Sequence, residues 1–202
     1  MKKVAIIDEL IKSRISQSFT FENQFTHIRG FHGCRPLDIH TYYSQGIQMI
    51  NKERLLHETL FRLKDTFVAK KRIIEVFEKH WQSETIEEKS IWFTSSMKEL
   101  LLTAGHYMIY GSEFIQGIAA DLTIHQLLKN HGIPTIFSID VPIETIPTEY
   151  LKCLEDNIQN KDTSGGFKST SPISKNNVIA HFHPLKIVDW HNNGEYYLSP
   201  TP

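Results

Sequence analysis

Between Lys52 and Gln82 an apolar series runs Leu56, Leu60, Leu63, Phe67, Ile74, Phe77 and Trp81. Steps of three, four and seven predict a long amphipathic helix, or two in line. Such a stripe must be buried, and we expect it to pack on the rest of its own domain. Strand-like runs lie on both sides of it. Phe25 to Gly33 reads as a strand ending in glycine, and Ser90-Ile91-Trp92-Phe93-Thr94-Ser95 as a second. Thr135 to Val141, rich in β-branched residues and bounded by Pro134 and Pro142, is a third. A length of 202 residues predicts one domain, or one and a small lobe.

The remaining segments follow from local chemistry. Lys2 to Gln17 carries Ile6, Leu10, Ile11 and Ile15 at helical spacing. Arg35-Pro36-Leu37-Asp38 is a turn into a helix, with Asp38 as its N-cap and Gly46 at its C-cap. Met97 to Tyr110 is helical and stops at Gly111. Ser112 caps a second helix to about Asn130, and His131-Gly132 ends it. Thr148 to Ile158 is a short helix. Residues 160–177 lack periodicity and read as a flexible loop. Val178 to Trp190 reads as closing strands around Pro184.

Charge and cysteine content narrow the functional classes. With 22 basic and 23 acidic residues the net charge is -1, which argues against coating nucleic acid by bulk charge. Local positive charge remains at Lys70-Lys71-Arg72 and at Lys161, Lys168 and Lys175. Two cysteines make neither a disulfide framework nor a cysteine zinc site, so a cytoplasmic location is expected. Acid follows the first apolar residues, unlike a signal peptide, and no apolar run is long enough to cross a membrane. His181 and His183 share one strand face, but no third ligand has a diagnostic spacing, so no metal is expected.

The most informative string is Phe31-His32-Gly33-Cys34-Arg35-Pro36-Leu37-Asp38-Ile39-His40-Thr41-Tyr42-Tyr43-Ser44-Gln45-Gly46-Ile47. It resembles the first signature of the ADP-ribosyltransferase superfamily in its poly(ADP-ribose) polymerase-like version. There an apolar residue precedes His-Gly, a small residue and Arg follow, and a short helix ends in Gly plus an aliphatic residue. Ile91-Trp92-Phe93-Thr94-Ser95, with Ala104 and Tyr107 in the helix that follows, resembles the next signature. The resemblance covers roughly residues 25 to 110. It implies a single α+β domain with a split, mostly antiparallel β-core flanked by helices, with residues 52–82 as a helical insertion. It also implies NAD as substrate, without a metal.

The same resemblance implies roles. His32 holds the adenosine-side ribose, and Gly33 lets the backbone approach the carboxamide. Trp92, Tyr42 or Tyr43 sandwiches the nicotinamide. Arg35 either orients its loop or meets the pyrophosphate. A carboxylate must stabilise the oxocarbenium-like ribosyl cation. The family's glutamate follows a substrate-recognition loop, and the matching stretch here, Asn176-Asn177-Val178, has none. Glu113, at the helix break Tyr110-Gly111-Ser112-Glu113-Phe114, is the candidate for a displaced carboxylate; its other reading is a residue complementing a helix N-terminus. Glu144 and Glu149 are lesser candidates. The resemblance implies a bacterial toxin or anti-phage effector that modifies RNA, DNA or protein, with a possible antitoxin partner. An NAD glycohydrolase and a non-catalytic nucleotide- or partner-binding module are the alternatives.

Overall fold

The computed structural model describes residues 1–13, 19–83 and 90–200. In chain order the elements are β1 Val4–Ala5, α1 Ile7–Lys12, β2 His27–Cys34, α2 His40–Gln45, α3 Lys52–Arg62 and α4 Lys70–Ser83. Then follow β3 Ile91–Thr94, α5 Met97–Thr103, α6 His106–Ile109, α7 Glu113–Asp121, β4 Thr135–Pro142 and α8 Thr148–Gln159. The chain closes with β5 Gly166–Ser169, β6 Val178–Phe182, β7 Lys186–Asp189 and β8 Glu195–Leu198. The fold is α+β. Its main sheet has the order β5-β3-β2-β4-β6, all antiparallel, with β1 added parallel to the start of β2. β7 and β8 form a separate hairpin.

Side chains alternate across a strand, so β2 separates two layers. Ile28 belongs to one apolar cluster, with Phe93, Phe137, Ile139 and Phe167. Phe31 packs on the other, which holds Leu100, Met108, Ile115 and Ile136. β4 pairs with β2 along its whole length and feeds both clusters, which explains its continuous β-branched and aromatic run.

Several sequence expectations meet a different outcome. The 52–82 stripe forms two helices that fold back on each other rather than lying in line: Lys52 of α3 meets Glu78 of α4 at 2.7 Å. Phe67, counted in the stripe, sits on the connecting turn and is 91% exposed. Leu55, Leu63, Ile73, Val76 and Phe77 of this pair lie in the second cluster, so the pair is built into the core. The helix expected over 97–110 breaks at Gly105, where a Cβ would stand 2.4 Å from the Val188 carbonyl, so the break lets β7 approach. Ser112 precedes α7 without a side-chain capping bond, and the segment expected to run to Asn130 breaks at Thr123, whose φ is 57°. Val4 and Ala5 pair with β2 where a helix was expected; residues 14–17 of that expected helix lie outside the described residues. Residues 160–177, read as loop, contain β5 paired with β3, and the terminal hairpin strand β8 had no signature.

Gly46 ends α2 with φ 77°, and a Cβ there would lie 1.9 Å from the Ile173 carbonyl. Next to it, Ile47 and Ile173 exchange backbone hydrogen bonds of 3.0 and 2.9 Å. This clasp anchors the end of α2. Gly46→Ala is therefore expected to cost about 2 kcal/mol or more, from the left-handed backbone and the carbonyl clash together. The midpoint of urea unfolding measures it, with an unchanged m value.

Candidate functional site

His32 sits on the first-cluster face of β2, opposite Phe137 of β4 and near Phe93 of β3. Its Nδ1 donates to the Trp92 carbonyl at 3.0 Å. β2 and β3 share a single backbone pair, Phe31 with Thr94, so the imidazole bridges the strands where they diverge. That bond fixes the tautomer, with the proton on Nδ1 and a lone pair on Nε2. Nε2 makes no hydrogen bond among the described residues. Burial lowers the pKa of His32, so the ring is neutral at pH 7.

α2 presents its rings to this face. Asp38, expected as the N-cap, lies one residue before the cap position Ile39; it accepts from the His40 amide at 2.9 Å and from the Thr41 hydroxyl at 3.3 Å, bracing the turn into the helix. Tyr42 stacks on Phe137 with centroids 4.2 Å apart and planes at 13°, and lies 6.4 Å from the His32 ring. Tyr43, 38% exposed, meets Phe137 edge-on and hydrogen-bonds His181 of β6 through its hydroxyl at 2.7 Å. His181 pairs with Phe137, which pairs with His32, so His181, Phe137 and His32 form one row across three strands. At the usual strand spacing the two imidazoles stand about 10 Å apart. The result is an aromatic shelf with a histidine at each end. Residue pairs such as Tyr43 and His181, 138 positions apart, carry no sequence signal.

Cys34, two residues on from His32, shares its face. Burial pushes the thiol up to about 12, despite a hydrogen bond with Tyr42. The same burial raises Tyr42. The Glu58 charge reaches both groups, raising each further. Cys34 is therefore a neutral packing group, and alkylation by iodoacetamide at pH 8 is expected to run at least about 100-fold slower than at exposed Cys153. Peptide mapping of the two sites over time checks this.

The other sequence candidates lie elsewhere. Gly33 faces the second layer, where a Cβ would meet the Leu100 side chain at 3.0 Å; its small size serves packing. The Arg35 side chain is 2% exposed and donates to the carbonyls of His131, Met108 and Lys129 and to the Tyr197 hydroxyl. It is committed to orienting its loop, with no donor directed at the shelf. Trp92 offers His32 its carbonyl, while strand alternation turns its ring away, edge-on to Tyr150 at 5.7 Å.

Glu113 is on the far side of the sheet. It opens α7, whose Phe114, Ile115 and Ile118 belong to the second cluster. His106 Nε2 donates to its carboxylate at 3.1 Å, and Tyr107 adds a second hydrogen bond. These bonds, the His106 one foremost, hold its pKa below the usual carboxylate value. Glu113 lines a cavity of about 640 Å³ with His106, Tyr110, Gln116, His125 and His191. The sheet thus separates Glu113 from His32, and the displaced-carboxylate reading does not bring the two together. Glu58 of α3 is a carboxylate whose charge reaches Cys34 and Tyr42; its Oε1 lies 2.8 Å from the guanidinium of Arg62.

His183 Nδ1 is within bonding distance of the Pro134 carbonyl, at 3.0 Å, and of the Thr135 hydroxyl, at 3.2 Å. Among the described residues no group of three His, Cys, Asp or Glu side chains converges as a metal site. No described helix is long and apolar enough to cross a membrane. Comparison with known proteins finds no matching protein family, no matching curated protein and no matching solved structure.

Proposed function

We propose that the chain is an NAD-dependent ADP-ribosyltransferase whose dinucleotide lies along the shelf between α2 and the sheet. The observation that carries this reading is the His32 imidazole: it is held by the Trp92 carbonyl, neutral, with Nε2 left to accept a ribose hydroxyl. Tyr42 and Tyr43 supply ring faces for the nicotinamide, in place of Trp92. Glu58 takes the carboxylate role in place of Glu113, while Gly33 and Arg35 shape the strand end. In the reaction the C1′–N bond breaks and nicotinamide leaves with its electron pair. An acceptor nucleophile forms the new bond to C1′, and its proton passes to Glu58 and then to water. The fold belonging to this reading is the split antiparallel core of that superfamily. The wider proposal is a toxin or anti-phage effector acting on a macromolecule.

One observation favours a second reading, a non-catalytic nucleotide-binding module. Glu58 is already engaged by Arg62, so no free carboxylate stands on the shelf among the described residues. Incubation with NAD labelled in the adenylate, in separate reactions with RNA, single-stranded DNA, duplex DNA and a protein lysate, decides between them. Label transferred to one class, with equimolar nicotinamide, supports the transferase. Nicotinamide without transferred label makes the enzyme a glycohydrolase. Binding of NAD without nicotinamide release makes it the binding module.

A further inference from the structure

The cavity on the opposite layer has a chemistry of its own. Its walls are ring faces: His191 stands edge-to-face with His106 at 5.7 Å and with Tyr110 at 5.5 Å, and Tyr110 faces His125 at 6.0 Å. Its polar atoms are largely committed in ways that leave acceptors over. His106 gives its Nε2 proton to Glu113, and in the neutral ring its Nδ1 is then an acceptor. Gln116 directs its amide nitrogen to the carbonyls of Gly111 at 2.7 Å and His106 at 3.5 Å, which leaves Oε1 unbonded. The Tyr110 hydroxyl donates to Asp189 at 2.9 Å, and Lys129 neutralises that aspartate at 3.4 Å.

Glu113 completes the set. Two donors fix its carboxylate in the ionised form, yet its side chain remains 64% exposed, with lone pairs to spare. The cavity therefore combines one exposed carboxylate, hydrogen-bonded by His106 and Tyr107 but with lone pairs left over, several acceptors and aromatic walls. A volume of about 640 Å³ is in the range of small-molecule sites. Of the common ionic groups, a flat cation with several N–H donors fits best, since it can stack on the rings and pair its fork with a carboxylate.

We propose that this cavity binds a guanidinium group, carried either by a free small molecule or by an arginine side chain of a peptide. The site is separate from the His32 shelf and does not depend on NAD being the ligand there.

The test is titration of the full chain by NMR and calorimetry with two probes, agmatine and acetyl-Gly-Arg-Gly-amide. A citrulline peptide of the same length keeps the shape and removes the charge. The expected result is shifts of the His106, His191 and Ala120 resonances, and binding at least 10-fold weaker for citrulline. Glu113→Gln is expected to weaken binding 10-fold or more. Ala120→Trp, an exposed position on the cavity wall, is expected to block it with the thermal midpoint kept. Tighter binding of agmatine identifies a free ligand, and tighter binding of the arginine peptide a protein side chain. Equal binding of citrulline, indifference to both substitutions, or no binding of either probe overturns the proposal. NAD is absent from the titration, so its outcome is independent of whether the shelf turns NAD over.

Discussion

His32→Ala is expected to lower nicotinamide release from NAD at least about 100-fold, the scale of removing one positioned polar group from a reacting substrate. The substitution deletes both the donor to Trp92 and the acceptor at Nε2. His32→Asn separates them, because its amide nitrogen can still donate to the Trp92 carbonyl while the ring lone pair is lost. Asn is expected to restore the unfolding midpoint and leave turnover low. Wild-type turnover in the alanine variant would remove His32 from the substrate.

The pH dependence has a definite sign. Burial lowers the His32 pKa below the ordinary histidine value, so the folded state prefers the neutral ring. Its contribution is present at and above the ordinary value and is lost as pH falls through the lower folded value. Turnover is therefore expected to hold through neutrality and decline on the acid side, where protonation removes the acceptor. A pH–rate profile with the acid limb abolished in His32→Asn measures this.

Arg35→Met is expected to cost about 3–5 kcal/mol, the largest stability loss of any single change proposed for this chain. The Arg35 guanidinium reaches three carbonyls, those of Lys129, His131 and Met108, and the Tyr197 hydroxyl. It thereby ties the end of β2 to α6, to the turn before β4 and to the terminal hairpin. Methionine matches its volume but leaves those carbonyls buried without a donor. The neighbouring Arg62 adds bonds to the carbonyls of Arg35 and His131, and Gly132, at φ 77°, admits the chain against Pro36. Arg35→Lys is expected to fare nearly as badly, since a single ammonium cannot span donors set around a planar fork. For a chain of this size the loss corresponds to a fall in Tm of roughly 6–20 °C. A shift below about 2 °C in both variants, measured by calorimetry, would show that the carbonyls find other partners.

The legible parts of this protein are those written in consecutive residues. β2, β3, β4 and α8 were each readable from a short run, because β-branched clustering, flanking prolines and helical spacing are local signals. The turn at Asp38 and the end of α2 at Gly46 were readable for the same reason. β5 was not, because Gly166-Phe167-Lys168-Ser169 has little strand propensity and is held by pairing with β3. The break at Gly105 was hidden because its cause is a carbonyl 83 residues later.

Site residues divide along the same line. Sequence reasoning singled out His32 as the residue that holds the ribose, took Arg35 from the same string, and added Glu113 by need of a carboxylate. Strand alternation then sent Arg35 into the core on one side, and the layer order sent Glu113 to a different cavity. The sequence by itself determined the types of β2, β3, β4 and α8, the charge balance and the presence of a polar, aromatic-rich β2–α2 segment, since propensity and periodicity act within a few residues. The tertiary structure alone decided which face of the sheet each side chain occupies and which distant partners it meets, because a strand reverses its side chains at every residue and only packing selects what lies on either side.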